Sequence, residues 1–250
     1  MKNIYFFGCS FTAGDELSDA KWFPWKFTDK PDRDAYYNRR SKAFSNHEFL
    51  QAYIKDNKEL AYPALMNTDE ITTHNLAENG GAVRANMLRL LEVLASGQII
   101  DAIYFQVPPV FRELFIYPNG NFTDIQVAVI HPHFIWKDYL KEKVLSHNPI
   151  QWAVEDLMDL IMLTSHLKTL NIPVTFLEFG KEIEERYIEL ENEPRYHFLI
   201  EQAKSLPTIN VNNIIKKRGY QLAGDHWSQE SHEDLAEFIT EHFKQIINSK

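Results

Sequence analysis

The sequence predicts an α/β domain built on a central, mostly parallel sheet. Three observations carry this. Short apolar runs at Ile4 to Phe7, Asp101 to Val107 and Val174 to Glu178 have the length and the aromatic, β-branched make-up of strands buried on both faces. Segments of helical period, Val83 to Leu94 and Ile150 to Leu170, lie between them. The links are short and marked by Gly or Pro, which is the βαβ rhythm.

In order, the first strand runs into Gly8, Cys9 and Ser10, then Thr12, Ala13 and Gly14. That reads as a buried strand ending in a tight turn, with Ser10 at its carboxyl end, where ligands and catalytic groups collect in open α/β sheets. The next connection, about 19–58, shows no clean period. It holds Trp22-Phe23-Pro24-Trp25, a charged patch from Lys30 to Arg40 and a predicted helix from Asn46 to Asn57. A connection of this length is a lid, a binding insertion or a surface excursion pinned by its aromatic residues. Ala61 to Met66 reads as the end of a helix. Thr72 to Ala77 reads as a second strand, entering Glu78-Asn79-Gly80-Gly81-Ala82 and then a helix with Met87, Leu90, Leu91 and Leu94 on one face.

Pro108-Pro109 stops the Asp101 to Val107 strand. A second irregular insertion, about 114–149, carries the hairpin signal Asn119-Gly120. His131-Pro132-His133 lacks the partners of a zinc site and reads as loop histidines, so no metal is expected. The long helix from Ile150 offers Val154, Leu157, Ile161, Leu167 and Leu170 as its buried stripe and ends at Asn171-Ile172-Pro173. Glu182 to Lys204 is helical and strongly charged, read as a solvated outer face. Thr208 to Val211 is a last strand, and a final helix runs from about Gln229 to Asn248 with Ser228 as N-cap.

The chain reads as one domain over 1–250, with no repeat or linker. Lys plus Arg is 26 and Asp plus Glu is 35, a formal charge of −9, which argues against non-specific nucleic-acid binding and against an anionic membrane surface. The single cysteine, Cys9, allows no intramolecular disulfide. No signal peptide or membrane span is read, so a cytoplasmic location is the expectation. Nothing in the sequence indicates an oligomeric state.

Gly8-Cys9-Ser10-Phe11-Thr12-Ala13-Gly14 resembles the first block of the SGNH (GDSL-like) hydrolase family, where Gly-x-Ser-Phe/Leu-Thr-x-Gly carries the nucleophilic serine. Asn75-Leu76-Ala77 with Gly80 resembles the second block, whose glycine amide lines the oxyanion hole; Ala82 stands where that block has Ser. Leu222 to His232 resembles the fifth block, with His226 at the general base and His232 at the aromatic or histidine place six residues on. There are departures. The third block's Gly-x-Asn-Asp is absent, leaving Gln106 or Arg112 as candidates for its donor. Trp227 replaces the expected Pro. The usual Asp position is Ala223, and Asp225 sits directly before His226, where an extended chain directs neighbouring side chains apart.

The resemblance implies a three-layer α/β/α, flavodoxin-like sandwich and a serine esterase acting on a small ester, such as an O-acetylated sugar, without a cofactor. Ser10 would be the nucleophile and His226 the base. Asp225 would orient it, or a backbone carbonyl would do so in a Ser–His dyad. The amides of Ser10 and of Gly80 or Gly81 would bind the oxyanion, helped by Gln106 or Arg112. Trp22, Trp25 and Trp227 would face the sugar ring or acyl chain. Cys9 is the rival nucleophile. The missing third block and displaced Asp favour an alternative, a non-catalytic binding or structural protein of the same fold. Acyl transfer to an acceptor other than water is a third reading.

Overall fold

The structure is a computed structural model. It describes residues 1–29, 33–78, 81–108, 112–116, 122–126, 149–188, 190–215 and 228–248, with 112–116 and 122–126 described by their backbone. Among these residues the order begins β1 (Lys2–Phe7), α1 (Ser10–Ala13), α2 (Asp19–Trp22), α3 (Trp25–Asp29), α4 (Arg33–Ala43), α5 (His47–Leu60), α6 (Tyr62–Leu65), β2 (Ile71–Asn75), α7 (Val83–Ala95) and β3 (Ala102–Gln106). It continues with β4 (Arg112–Ile116), β5 (Phe122–Gln126), α8 (Pro149–Thr169), β6 (Val174–Glu178), α9 (Glu182–Ile188), a 3₁₀ turn (Pro194–Tyr196), α10 (His197–Lys204), β7 (Thr208–Asn210), α11 (Asn212–Ile215) and α12 (Gln229–Asn248).

Five strands pair in parallel in the order β2-β1-β3-β6-β7. Counted within the sheet this is 2-1-3-4-5, the flavodoxin-like order, with its switch point between β1 and β3. The sheet is buried on both sides, and the strands' alternation shows it. Tyr5, Phe7, Ile103, Phe105 and Phe176 face a core shared with α7, α8, α9 and α10. Ile4, Phe6, Ala102, Tyr104 and Leu177 face a second core completed by α6, α11 and α12. The result is a three-layer α/β/α sandwich, as expected. Each large apolar side chain so buried contributes roughly 1.5–3 kcal/mol.

The edge strand β2 is blunted by side chains, which blocks strand addition there. Asn67 Oδ1 accepts from the Thr73 N–H at 2.8 Å, Thr68 Oγ1 from the Ile71 N–H at 3.1 Å, and Lys58 Nζ donates to the Asn75 carbonyl at 3.3 Å.

Several expectations are corrected. The stretch from 19, read as without a clean period up to Asn46, carries α2, α3 and α4, and α5 is the helix expected over Asn46 to Asn57. The period of the first three is hidden because charged residues take buried positions: Asp19, Lys26 and Arg40 are all nearly inaccessible. The insertion read from 114 opens with an antiparallel hairpin, β4 with β5, and Asn119-Gly120 lies outside the described residues. Ala61 to Met66 is not a helix end; Ala61 is extended, at φ −71° and ψ 153°, and α6 starts anew with Pro63 in its first turn. On α7 the buried side is Val83, Leu90 and Val93, and Leu91 is half exposed. On α8 it is Ala153, Leu157, Leu160, Leu163 and Leu167, leaving Leu170 outside. The charged segment after 182 is not all solvated: the Arg186 side chain is inaccessible.

Candidate active site

The loop from β1 into α1 sits at the switch point, and three neighbouring elements fix it. Gln106, the last residue of β3, is fully buried. Its Oε1 accepts from the Cys9 N–H at 2.8 Å and from Thr12 Oγ1 at 2.9 Å, and its Nε2 donates to Cys9 Sγ at 2.9 Å. With the Thr12 proton used there, the Tyr62 hydroxyl is the donor in its 3.0 Å bond to Thr12 Oγ1. From β2, Asn75 Nδ2 donates to the Thr12 carbonyl at 2.9 Å. From the following loop, the Glu78 N–H donates to the Gly8 carbonyl at 3.3 Å.

This crowding explains the two glycines of the motif. A Cβ on Gly8 would lie 2.6 Å from Gln106 Oε1 and 2.8 Å from Thr12 Oγ1. Gly14 caps α1 in the left-handed region at φ +76°, and a Cβ there would meet the Asn57 carbonyl at 2.7 Å. Ser10 is the first residue of α1 and half-buried, and among the described residues no side chain hydrogen-bonds its hydroxyl. Cys9 is fully buried, with its thiol held by Gln106.

The helices of the insertion pack against this turn through an ionic and phenolic cluster. The Asp15 N–H donates to the Ser10 carbonyl at 2.9 Å, joining the two. Arg40 pairs with Asp15 and donates to the Tyr53 hydroxyl at 2.8 Å, and its other terminal nitrogen is 3.7 Å from Glu16. Lys26 pairs with Asp19 at 2.7 Å, and Asp19 also accepts from Tyr36 at 2.6 Å and Tyr53 at 2.9 Å. Burial pushes both phenols far above the usual tyrosine range, with Asp19 adding to the rise of both and Asp15 to that of Tyr53, so they remain donors. Ser18 and Asn57 close the cluster, with Asn57 Oδ1 accepting from the Ser18 N–H at 2.8 Å.

On the far side of Gln106, Arg186 fixes the exit of β3. Its guanidinium donates to the Pro108 carbonyl at 2.9 Å and to the Glu182 carbonyl at 2.7 Å, and pairs with Asp156 at 2.8 Å. At the other end of the chain α12 begins at Gln229, as expected, with Ser228 Oγ accepting from the Ser231 N–H at 3.4 Å. His232 is buried on α12. Its Nδ1 accepts from the Tyr62 N–H at 3.0 Å and its ring stacks on Tyr62, so it braces the helix that also supports Thr12.

Ser10 and Gln106 therefore converge on one turn. Gln106 holds that turn with both ends of its amide, which differs from the oxyanion role expected of it. The Gly81 N–H donates to the Glu78 carbonyl at 3.1 Å, within its own loop. Trp22 and Trp25 are half-buried within the insertion. Trp22 donates to Asp56 at 2.6 Å and packs edge-on against Phe49, while Trp25 lies under the Arg39 guanidinium and beside Phe23 and Tyr36. His226, Asp225, Trp227, Gly80, His131, His133 and the Arg112 side chain lie outside the described residues. Thr12 and Asn75 stood in the motifs, but their clamping roles have no sequence signal, since each depends on a partner more than 45 positions away.

In overall arrangement the chain is similar to several solved esterases and lipases. The lipase/acylhydrolase from Enterococcus faecalis aligns at 16% identity over 98% of this chain and 96% of that one, with a TM-score of 0.45. The psychrotrophic esterase EstA from Pseudoalteromonas sp. aligns at 11% identity over 99% and 100%, with a TM-score of 0.46. A family two carbohydrate esterase from Clostridium thermocellum, solved with cellohexaose, aligns at 11% identity over 99% of this chain and 65% of that one, with a TM-score of 0.49. No family model matches the sequence, and no curated protein matches it significantly. Among the described residues no helix is long and apolar enough to cross a membrane, and no group of His, Cys, Asp or Glu is arranged to hold a metal.

Proposed function

We propose that this chain is a serine acyl hydrolase of the SGNH type acting on a small ester, with O-acetylated sugars the class to try first. The observation that carries the reading is the setting of Ser10. Its half-buried hydroxyl follows β1 at the switch point of the sheet, in a turn fixed by Gln106, Asn75 and Gly14.

In this mechanism Ser10 Oγ attacks the ester carbonyl while His226 accepts its proton. His226 returns the proton to the departing alkoxide, and a water activated by the same imidazole then releases the acid and Ser10. Asp225 or a backbone carbonyl fixes the imidazole. The Ser10 N–H opens α1, where a helix leaves amides without internal partners, and it would donate to the oxyanion. Gly80 and Arg112 are the further donors in this proposal. Gln106 acts through the turn instead of touching substrate, Trp227 is assigned to substrate, and Trp22 and Trp25 serve the insertion that borders the site.

The test is turnover of p-nitrophenyl acetate and butyrate by the wild type, Ser10→Ala and His226→Ala. Both variants should lose roughly 10³-fold or more. A folded wild type that turns over no ester of any acyl length contradicts the proposal. One observation favours a second reading, a non-catalytic binder: the amide at the third-block position is committed to Cys9 and Thr12.

A further inference from the structure

We propose that the cavity between α7, the end of β2 and α5 is a binding site for a small organic anion, a carboxylate or phosphate monoester carrying a short apolar body. The proposal stands apart from the hydrolase reading. The cavity has a volume of about 460 Å³, within the usual range for small-molecule sites. Leu76 and Val93 give it an apolar wall, and Ser96 and Gln98 line it as neutral polar groups, the Ser96 hydroxyl donating to the Val93 carbonyl at 2.7 Å and Gln98 Oε1 accepting from the Tyr5 hydroxyl.

Its charged groups are built in. Arg89 is nine-tenths buried, and its two terminal nitrogens are held by Asn86 at 3.1 Å and Glu78 at 2.6 Å. Lys58 reaches the same cavity from α5. Among the described residues its ammonium has one hydrogen bond, to the Asn75 carbonyl at 3.3 Å, and no salt bridge. Burial holds the Lys58 pKa below the usual lysine range; Glu78 opposes the shift and Arg89 adds to it. Of the two carboxylates lining the cavity, Glu78 is already bound to Arg89 and its side chain is 57% exposed, and Glu92 is exposed. A desolvated ammonium beside a second cation costs free energy that a bound anion would offset.

The walls also connect to the nucleophile turn. The residue whose carbonyl Lys58 holds, Asn75, is the one that clamps Thr12, and the N–H of Glu78 holds the Gly8 carbonyl. An anion seated on Lys58 would therefore rest against both supports of the Ser10 turn.

The test is calorimetric titration of the full chain with sodium butyrate, inorganic phosphate and, as the uncharged body, 1-butanol, all at matched ionic strength. Lys58→Gln and Lys58→Arg are compared with Lys55→Gln, an exposed lysine on the same helix paired with Glu59. Saturable binding of butyrate or phosphate should weaken about ten-fold or more in Lys58→Gln and persist in Lys58→Arg and Lys55→Gln. Preference between the two anions then names the headgroup. If Lys58→Gln does not fold, acetylation of wild-type lysines is read by mass spectrometry, and the anion should protect Lys58 and not Lys55. Equal binding by Lys58→Gln, butanol binding as tightly as butyrate, no saturable heat into the tens of millimolar, or no protection of Lys58 would overturn the proposal.

Discussion

The Ser10 turn and the helical insertion packed on it are joined by a backbone hydrogen bond, from Asp15 to Ser10, yet they are held by opposite means. The turn is built from small neutral residues gripped by one buried amide, that of Gln106. The insertion is built around Asp15, Asp19, Lys26 and Arg40, charges that are nearly inaccessible. A neutral grip fixes geometry at small cost on either side. A buried ionic cluster is worth little net when complete and becomes expensive when one member is removed. The insertion should therefore fail sharply on loss of one charge, and the turn should lose function before it loses fold.

The largest expected effect tests the ionic half. Arg40→Met leaves Asp15 buried without its cation, and urea denaturation should show a loss of about 3–5 kcal/mol. A loss under about 1 kcal/mol would mean that the cluster is solvated and the contrast fails. Next is Gly14→Ala, where the positive φ and the Asn57 carbonyl oppose a Cβ; the same measurement should show about 1–3 kcal/mol. Gln106→Leu removes the acceptor of the Cys9 N–H and should cost about 1–3 kcal/mol. Its rate of labelling by a fluorophosphonate should fall roughly ten-fold or more at a temperature where the variant is fully folded. A labelling rate equal to wild type would reduce Gln106 to packing. The smallest effect is Cys9→Ala, about 1 kcal/mol from a small cavity and a weak sulfur acceptor, with labelling retained.

The same division decided what the sequence made legible. Strands such as Val174–Glu178 announced themselves because burial on both faces leaves an unbroken apolar run. The start of the last helix is legible because Ser228 is a chemical start signal. The insertion ahead of Asn46 is opaque because hydrophobic periodicity reports only apolar burial, and its interior positions include Asp19, Lys26 and Arg40. The turn that carries Ser10 is legible because glycines and a threonine at fixed spacing are a local constraint. The grip of Gln106 on Cys9 crosses 97 positions and leaves no local trace. Lys58 and Arg89 carry no sequence signal for a similar reason: each is an ordinary cation on a helix until the fold brings them to one cavity.

The central claim is that Ser10 is an activated nucleophile. The most direct measurement is intact-mass spectrometry of the full chain after exposure to a fluorophosphonate, with peptide mapping of the adduct in wild type, Ser10→Ala, Cys9→Ala and His226→Ala. The account predicts one adduct, on Ser10, lost in Ser10→Ala and His226→Ala and kept in Cys9→Ala. An unlabelled but folded wild type, or an adduct that maps elsewhere and survives Ser10→Ala, would contradict it.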